Sequence, residues 1–182
     1  MLLIPILAAA QLVGLAAGSR VWIEGDSNLH QWSCKATQPD ARIEIDPDAA
    51  QIARALSLRV QVSGLDCGDG KMNDKLRDAL KAEQHPVIEY HLIRAERVTA
   101  QPLQLKATGA LTIAGKTRTV AFTVDVEMGK GGAGKATGKV PILMTDYGVE
   151  PPTALLVLKT YDQVVVHFEI TTAALAAQAS LP

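Results

Sequence analysis

The sequence predicts an all-β protein, an antiparallel β-barrel of about eight strands with one or two short helices. Apolar and polar residues alternate along most of the chain, which is the period of a strand with one dry face. Nearly all of these segments can be joined antiparallel to the next one. The 182 residues suffice for one well-buried core, and the pattern shows no break that would require a second domain.

The first 18 residues contain no charged side chain and end in the small residues Ala16, Ala17 and Gly18. Such a segment is typical of a secretory signal peptide with a small-residue cleavage site, although it lacks the usual Lys or Arg near its start. A retained membrane anchor is the alternative, but the run is short for a bilayer span, and Pro5 and Gln11 interrupt it. We predict a signal peptide at residues 1–18, one domain at residues 19–182, and a periplasmic or secreted protein.

The first half of the domain contains four predicted strands and two predicted helices. The strands lie near residues 20–24, 29–37, 42–46 and 56–64, and the dry face of the fourth is formed by Leu56, Leu58, Val60 and Val62. A short helix is predicted at residues 47–55. A second is predicted at residues 71–82, where an apolar stripe repeats at helical spacing: Met72, Leu76, Ala79 and Leu80. We expect this stripe to pack against the barrel mouth rather than to bind a partner protein.

The second half shows the clearest strand pattern. Strands are predicted at residues 87–98, 103–113, 120–128, 136–145 and 162–171. The second and third of these form a hairpin, because Gly115 in the connection can adopt the positive φ that a tight turn needs. The glycine-rich segment at residues 129–134 is predicted to be a loop, and it lacks the Lys-Ser/Thr ending of a phosphate-binding loop.

Charge and cysteine content restrict the partners. The net charge is −1 with 20% charged residues, so the chain offers no basic field for nucleic acid. Cys34 and Cys67 are the only cysteines, and in an exported chain an even count favours a disulfide. Its loop of about 33 residues would contribute about 3–4 kcal/mol to stability. Two reduced core thiols remain the alternative, and a metal site is disfavoured because no further ligands are identified.

No catalytic or metal-binding motif stands out. The histidines, His30, His85, His91 and His167, form no short ligand pair, and a GxSxG nucleophile elbow is absent. His91 and His167 are expected on solvated strand faces, and His30 is expected as a buried histidine at the barrel end. We therefore predict a protein that is not an enzyme and needs no cofactor or metal.

Four segments in order resemble the YceI-like, polyisoprenoid-binding family of exported bacterial proteins with a lipocalin-like barrel. They are SNLHQW at residues 27–32, the stretch from Met72 to Ile88, LTIAGKTR at residues 111–118, and the stretch from Met144 to Ala154. Thr119 and Ala114 depart from the family pattern at the hairpin. The resemblance implies a barrel that takes a long apolar chain, such as a polyisoprenoid or an isoprenoid quinone.

The dry faces then predict the residues that line the barrel. These are Leu58, Val60, Val62, Ile88, Tyr90, Leu92, Leu105, Leu111, Phe122, Val124, Val126, Val140, Ile142, Val166 and Phe168. His30, Trp32 and Tyr147 are predicted contacts at the mouth.

Three functional hypotheses follow. The first is a carrier, store or sequestering protein for an apolar isoprenoid-like lipid, with transient membrane contact for lipid exchange. The second is a stress-response or interaction protein that uses the barrel as a scaffold, since inward side chains of a small barrel can fill it completely. The third is an enzyme acting on such a lipid, which the missing motifs make the weakest of the three.

Overall fold

The computed structural model describes residues 11–45, 53–129, 133–154 and 158–172. One α-helix, α1 (Gly70–Ala79), and two 3-10 turns (Val62–Gly64 and Met144–Tyr147) interrupt an antiparallel sheet in this part of the chain. The strands described are β1 (Gln11–Gly14), β2 (Arg20–Ser27), β3 (Trp32–Ala36), β4 (Asp40–Ile45), β5 (Ala53–Gln61), β6 (Leu65–Asp66), β7 (Val87–Ala100), β8 (Leu103–Ile113), β9 (Lys116–Met128), β10 (Gly134–Leu143), β11 (Thr153–Ala154) and β12 (Leu158–Thr172).

The sheet is strongly curled, and chain connections tie both of its ends back to its middle. Its strands follow the order β1-β4-β5-β7-β8-β9-β10-β12-β2-β3-β6, and β11 pairs with β12 beside this path. At one end, β6 continues directly from β5 through the turn at Val62–Gly64. At the other end, β1 leads to Leu15, which bridges to Thr172 of β12. The inward faces of the strands therefore surround an apolar interior.

The predicted number of about eight strands is wrong. The order along the sheet has eleven strands among the described residues, with β11 pairing beside it. The predicted segments correspond to β2–β5, β7–β10 and β12, whereas β1, β6 and β11 are additional. β6 and β11 have two residues each, so they are too short to show an alternating pattern, and β1 lies within the segment predicted as a signal peptide.

The hairpin between β8 and β9 is confirmed. The two strands pair from Leu103 with Val126 to Ile113 with Lys116. Ala114 and Gly115 form the two-residue turn with φ values of 47° and 76°. Positive φ at both positions matches the right-handed twist of a hairpin. A side chain at Gly115 would overlap the ring of His85, so this position requires glycine for space as well as for conformation.

Of the two predicted helices, only the second is confirmed. It is α1, and the Asp69 side chain caps it by accepting a hydrogen bond of 2.9 Å from the Met72 backbone N–H. The prediction of a helix at residues 47–55 is wrong at its end, since Ala53 already pairs with Ile45 of β4 and Ala55 with Glu44. Pairing with β4 outweighs the weak helix preference of this stretch. Residues 46–52 and 130–132 lie outside the described residues.

The core continues along the inside of the sheet. A larger cluster of buried residues lies towards α1 and includes Val62, Leu80 and Tyr147. A smaller cluster of Ala95, Leu105, Ala107 and Val124 lies towards the opposite end of the strands. No helix among the described residues has the length and apolar character needed to cross a membrane.

Candidate functional site

The curled sheet encloses two adjoining cavities, which we name the upper and the lower cavity. The upper cavity has a volume of about 440 Å³ and is lined by inward strand residues and by α1. The lower cavity has a volume of about 190 Å³ and lies between the opposite ends of the strands. The two share five lining residues, which shows that they are neighbours: Val21, Leu58, Tyr90, Leu111 and Val166.

The upper cavity is closed on one side by the apolar stripe of α1. Met72, Leu76 and Ala79 face it, and Lys71 and Lys75 stand beside them. None of the residues within α1 is fully buried, so the helix packs only partly against the barrel. Its placement matches the prediction that the stripe lies at the barrel mouth.

Fourteen of the fifteen predicted lining residues border one or both cavities. The upper cavity contacts Leu58, Val60, Ile88, Tyr90, Leu111, Ile142 and Val166. The lower cavity contacts Leu92, Leu105, Phe122, Val124, Val126, Val140 and Phe168, besides four of the upper set. Val62 is the exception, because it lies in the 3-10 turn after β5 and is buried in the solid core with an exposed fraction of 1%.

Several lining residues escaped the sequence analysis. Val21 on β2 borders both cavities, and Ala41 and Ile43 on β4 border the lower one. Their strands were predicted, but the short alternating runs around them did not show which face is dry. Met144 and Val149 border the upper cavity from the 3-10 turn and the segment after it. Met144 falls at the end of the predicted strand 136–145, on the face of Val140 and Ile142, whereas Val149 lies in a segment with no strand period.

Three aromatic rings form a layer inside the barrel, which we call the aromatic layer: Tyr90, Phe122 and Phe168. The ring centroids of Tyr90 and Phe122 are 5.7 Å apart, and those of Phe122 and Phe168 are also 5.7 Å apart. Only Tyr90 also borders the upper cavity. These spacings are within the range for favourable tilted aromatic pairs.

Three buried polar groups around the upper cavity have no hydrogen-bond partner within the described part of the chain. They are the Trp32 indole N–H and the hydroxyl groups of Tyr90 and Tyr147. Burial raises the pKa of Tyr90 to about 12. Burial, with a smaller effect of the nearby Asp146 carboxylate, also raises the pKa of Tyr147. Both phenols are therefore neutral near pH 7, and their hydroxyl oxygens are covered by the surrounding side chains and backbone.

The predicted mouth contacts all border the upper cavity, but His30 differs from its prediction. Trp32 is half-buried and Tyr147 is only 2% exposed. His30 is exposed at the rim, where its backbone, rather than its ring, bonds to Ser27. The prediction of a buried histidine at this position is wrong, because residues 28–31 form an exposed turn between β2 and β3.

His167 was predicted to be solvated, and this is also wrong. Its exposed fraction is 8%, although it lies on the outer face of β12. The ring stacks on Trp22 of the neighbouring strand with centroids 5.0 Å apart, and its Nε2 lies 3.0 Å from a carboxylate oxygen of Glu24. His167 does not point into the barrel; it is buried because the Trp22 ring covers it. His91 is exposed as expected.

A disulfide joins Cys34 of β3 to Cys67, which lies just before α1, with the Cα atoms 4.0 Å apart. The Asn73 side chain strengthens the same junction, because it accepts a hydrogen bond from the Cys67 backbone N–H at 2.7 Å and donates one to Asp66 at 3.0 Å. This bond lowers the pKa of Asp66, together with a backbone bond from Gly68. The start of α1 is thereby fastened to the wall of the upper cavity.

The side chains around the cavities do not form a recognisable catalytic set. In the described ranges there is no group of three or more His, Cys, Asp or Glu residues that could hold a metal ion. What the arrangement offers is space, apolar surface and a few hydrogen-bond donors near the upper end. Such a site is suited to holding a largely apolar molecule.

Comparison with known proteins gives a family match. The model of the family described as YceI-like domain matches residues 16–172, which is most of the chain. No curated protein matches the sequence significantly.

Solved structures share the fold. BcnA of Burkholderia cenocepacia has a TM-score of 0.78 and 21% identity, over 87% of this chain and 99% of that one. A polyisoprenoid-binding domain from Saccharophagus degradans, implicated in plant cell wall breakdown, has a TM-score of 0.69 and 12% identity, over 92% of this chain and 100% of that one. The YceI protein of Campylobacter jejuni has a TM-score of 0.62 and 21% identity, over 77% and 84%. At these identities the likeness is one of fold.

Proposed function

The chain belongs to the YceI-like domain family, and we propose that it is an exported binding protein that holds a long apolar lipid inside its barrel. The lipid is a polyisoprenoid or an isoprenoid quinone, and the protein serves its transport, storage or sequestration. The observation that carries this proposal is the pair of adjoining cavities of about 440 and 190 Å³ within the curled sheet. The polyisoprenoid-binding domain of similar fold supports the choice of lipid.

The two cavities fit different parts of such a lipid. Apart from Lys135 and Thr172, the residues that line the lower cavity are apolar, so it is suited to hydrocarbon. The upper cavity is bordered by exposed polar side chains that can donate hydrogen bonds, namely His30, Lys71 and Lys75. A head group with an acceptor oxygen would therefore lie in the upper cavity, with the tail directed towards the lower one. Each methylene withdrawn from water contributes about 0.8 kcal/mol, so the tail supplies most of the affinity.

Lipid exchange takes place at the rim of the upper cavity, during transient contact with a membrane. Leu29, Leu143 and Tyr161 are large apolar or aromatic side chains with exposed fractions of 69%, 43% and 49%. Each is adjacent in sequence to a residue that lines the upper cavity. Exposed apolar side chains beside an opening are suited to brief insertion among lipid head groups.

Two measurements test the proposed function. Protein purified from its native compartment is expected to yield an isoprenoid-like lipid when organic extracts are analysed by mass spectrometry. Delipidated protein is expected to bind a long-chain quinone and to ignore a water-soluble analogue with the same head, because the analogue has no tail to bury. Protein that yields no lipid and binds neither compound would leave the scaffold hypothesis as the better account.

A further inference from the structure

The boundary between the two cavities is formed in part by one side chain that differs from the others. Tyr90 is the only member of the aromatic layer that borders both cavities. Its exposed fraction is 9%, and its ring points inward from β7. The other residues shared by the two cavities are the aliphatic Val21, Leu58, Leu111 and Val166, which have no rigid ring that could extend across the interior.

The position of the Tyr90 ring depends on a glycine in the next strand. Gly109 lies on the inward face of β8, between Ala107 and Leu111. A Cβ atom at Gly109 would overlap ring atoms of Tyr90, including its hydroxyl oxygen. The ring can occupy this place against the wall only because residue 109 has no side chain. The same arrangement occurs lower in the aromatic layer, where the ring of Phe168 lies over Gly138 of β10.

We propose that Tyr90, held in the notch at Gly109, determines how much of a bound chain reaches the lower cavity and hence which chain length the protein prefers. This inference rests on the proposed function and adds a specificity-determining residue to it. The lower cavity has less than half the volume of the upper one, at about 190 against 440 Å³. Entry into the lower cavity therefore buries the last part of the lipid chain. Each methylene that enters it increases the affinity about fourfold.

Two substitutions are expected to shift the preferred length in opposite directions. Tyr90→Leu removes the ring and widens the connection between the cavities, so longer chains gain affinity. Gly109→Ala drives the ring away from the wall into the passage, so shorter chains are preferred. Gly109 does not have the positive φ that would make alanine strained there, and the atoms that a Cβ would overlap are at the far end of the Tyr90 side chain rather than in the backbone.

The probes are isoprenoid quinones that share one head and differ only in the number of prenyl units. Dissociation constants are measured for delipidated wild-type protein and for both variants. For the longest quinones, Tyr90→Leu is expected to bind at least tenfold more tightly than Gly109→Ala, whereas the shortest quinones are expected to bind both variants within about threefold. Equal length preferences for the two variants, or shifts in the same direction, would overturn the inference.

Two further variants test the cause of a change in length preference. One distinguishes the Tyr90 ring from its hydroxyl group, and the other distinguishes the position of the ring from a general loosening of the core. Tyr90→Phe keeps the ring, so it is expected to keep the wild-type length preference. Phe168→Leu enlarges the lower cavity without touching the boundary with the upper one, so it is expected to leave shorter quinones unaffected. A change in length preference with Tyr90→Phe as large as that with Tyr90→Leu would overturn the role of the ring.

The outcome for the wild type distinguishes this inference from the proposed function. Wild-type protein that binds none of the quinones contradicts the proposed function itself. Wild-type protein that binds them, together with a length preference that no substitution at positions 90 and 109 changes, contradicts only the role of Tyr90. Melting temperatures of all variants show whether each is folded, and Tyr90→Met replaces Tyr90→Leu if the latter does not fold.

Discussion

Val124 shows what one inward position contributes to the barrel. It is 9% exposed and lies in the smaller buried cluster, on the wall of the lower cavity. We expect Val124→Asp to destabilise the domain by about 3 kcal/mol or more, or to abolish lipid retention, because the carboxylate would be buried without a partner. Chemical denaturation and lipid extraction measure the two effects.

The matched control for this substitution is the next residue. Thr123 is exposed on the outer face of the same strand and pairs with Lys106 of β8, so Thr123→Asp places the same charge beside a cation in solvent. It is expected to change stability by less than about 0.5 kcal/mol. Wild-type stability and lipid content in Val124→Asp would show that position 124 does not face a closed apolar interior.

Side-chain direction could be predicted from the sequence wherever the alternation is unbroken. Along β7, Tyr90 and Leu92 point inward as expected, but the pairing with β8 shifts between Leu92 and Arg94. This irregularity turns Ala95 inward, with 3% exposure, although unbroken alternation from Tyr90 and Leu92 would place Ala95 on the outer face. A bulge inserts one extra residue into a strand, and the alternation of apolar and polar residues does not mark its position. The alternation alone could therefore not reveal it.

At the scale of elements, the disulfide fastens α1 to the barrel. It closes a loop between residues separated by 33 positions, from β3 to the start of the helix. We predict that Cys67→Ser destabilises the domain by about 3–4 kcal/mol, because the unfolded chain gains freedom. Thermal and denaturant unfolding of protein made in an oxidising compartment measure the loss.

Reduction supplies the control for this prediction. Treating wild-type protein with a thiol reductant is expected to lower its stability to that of Cys67→Ser, while the variant itself is insensitive to the reductant. Peptide mapping without reduction should recover Cys34 linked to Cys67. Two free thiols in protein from an oxidising compartment would contradict the prediction.

Elements with many periodic residues could be predicted, and the shortest could not. α1 shows its apolar stripe over most of its ten residues, β8 alternates over its eleven residues, and β9 alternates from Val120 to Met128. β6 has two residues, and its pairing with β3 arises only because the turn at Val62–Gly64 redirects the chain. Such a strand is determined by its neighbours rather than by its own residues.

At the scale of the whole molecule, the sequence indicated an apolar interior but not its division into two cavities. Inward residues follow from alternation, which explains why most of the predicted lining residues border a cavity. The boundary between the two cavities includes Tyr90, whose ring lies over Gly109 of the neighbouring strand. The contact is between residues of two different strands, so the pattern of residues within one strand does not predict it.

The mature protein is expected to lack the residues before Ser19 or a few residues fewer. The family match begins at residue 16, and no described residue before Val21 lines either cavity. β1 pairs with the edge of β4, whereas Ser19 accepts a hydrogen bond of 3.0 Å from the Thr171 backbone N–H and so holds the start of β2 against β12. A chain that begins at Ser19 keeps every described residue that lines a cavity, so we expect it to fold and to retain lipid. It loses β1, the bridge between Leu15 and Thr172, and the hydrogen bond from the Ala16 backbone N–H to the Thr171 carbonyl.

Mass spectrometry of the intact exported protein is expected to show a mature chain that begins between residues 16 and 19. The chain 19–182, refolded beside the chain 1–182, should yield the same lipid occupancy, with faster amide hydrogen exchange confined to β4 and the end of β12. β4 then lacks its partner on one side, and Thr172 loses its bridge to Leu15. A mature protein that retains Gln11–Gly14, or loss of lipid binding in the chain 19–182, would show instead that β1 is part of the working barrel.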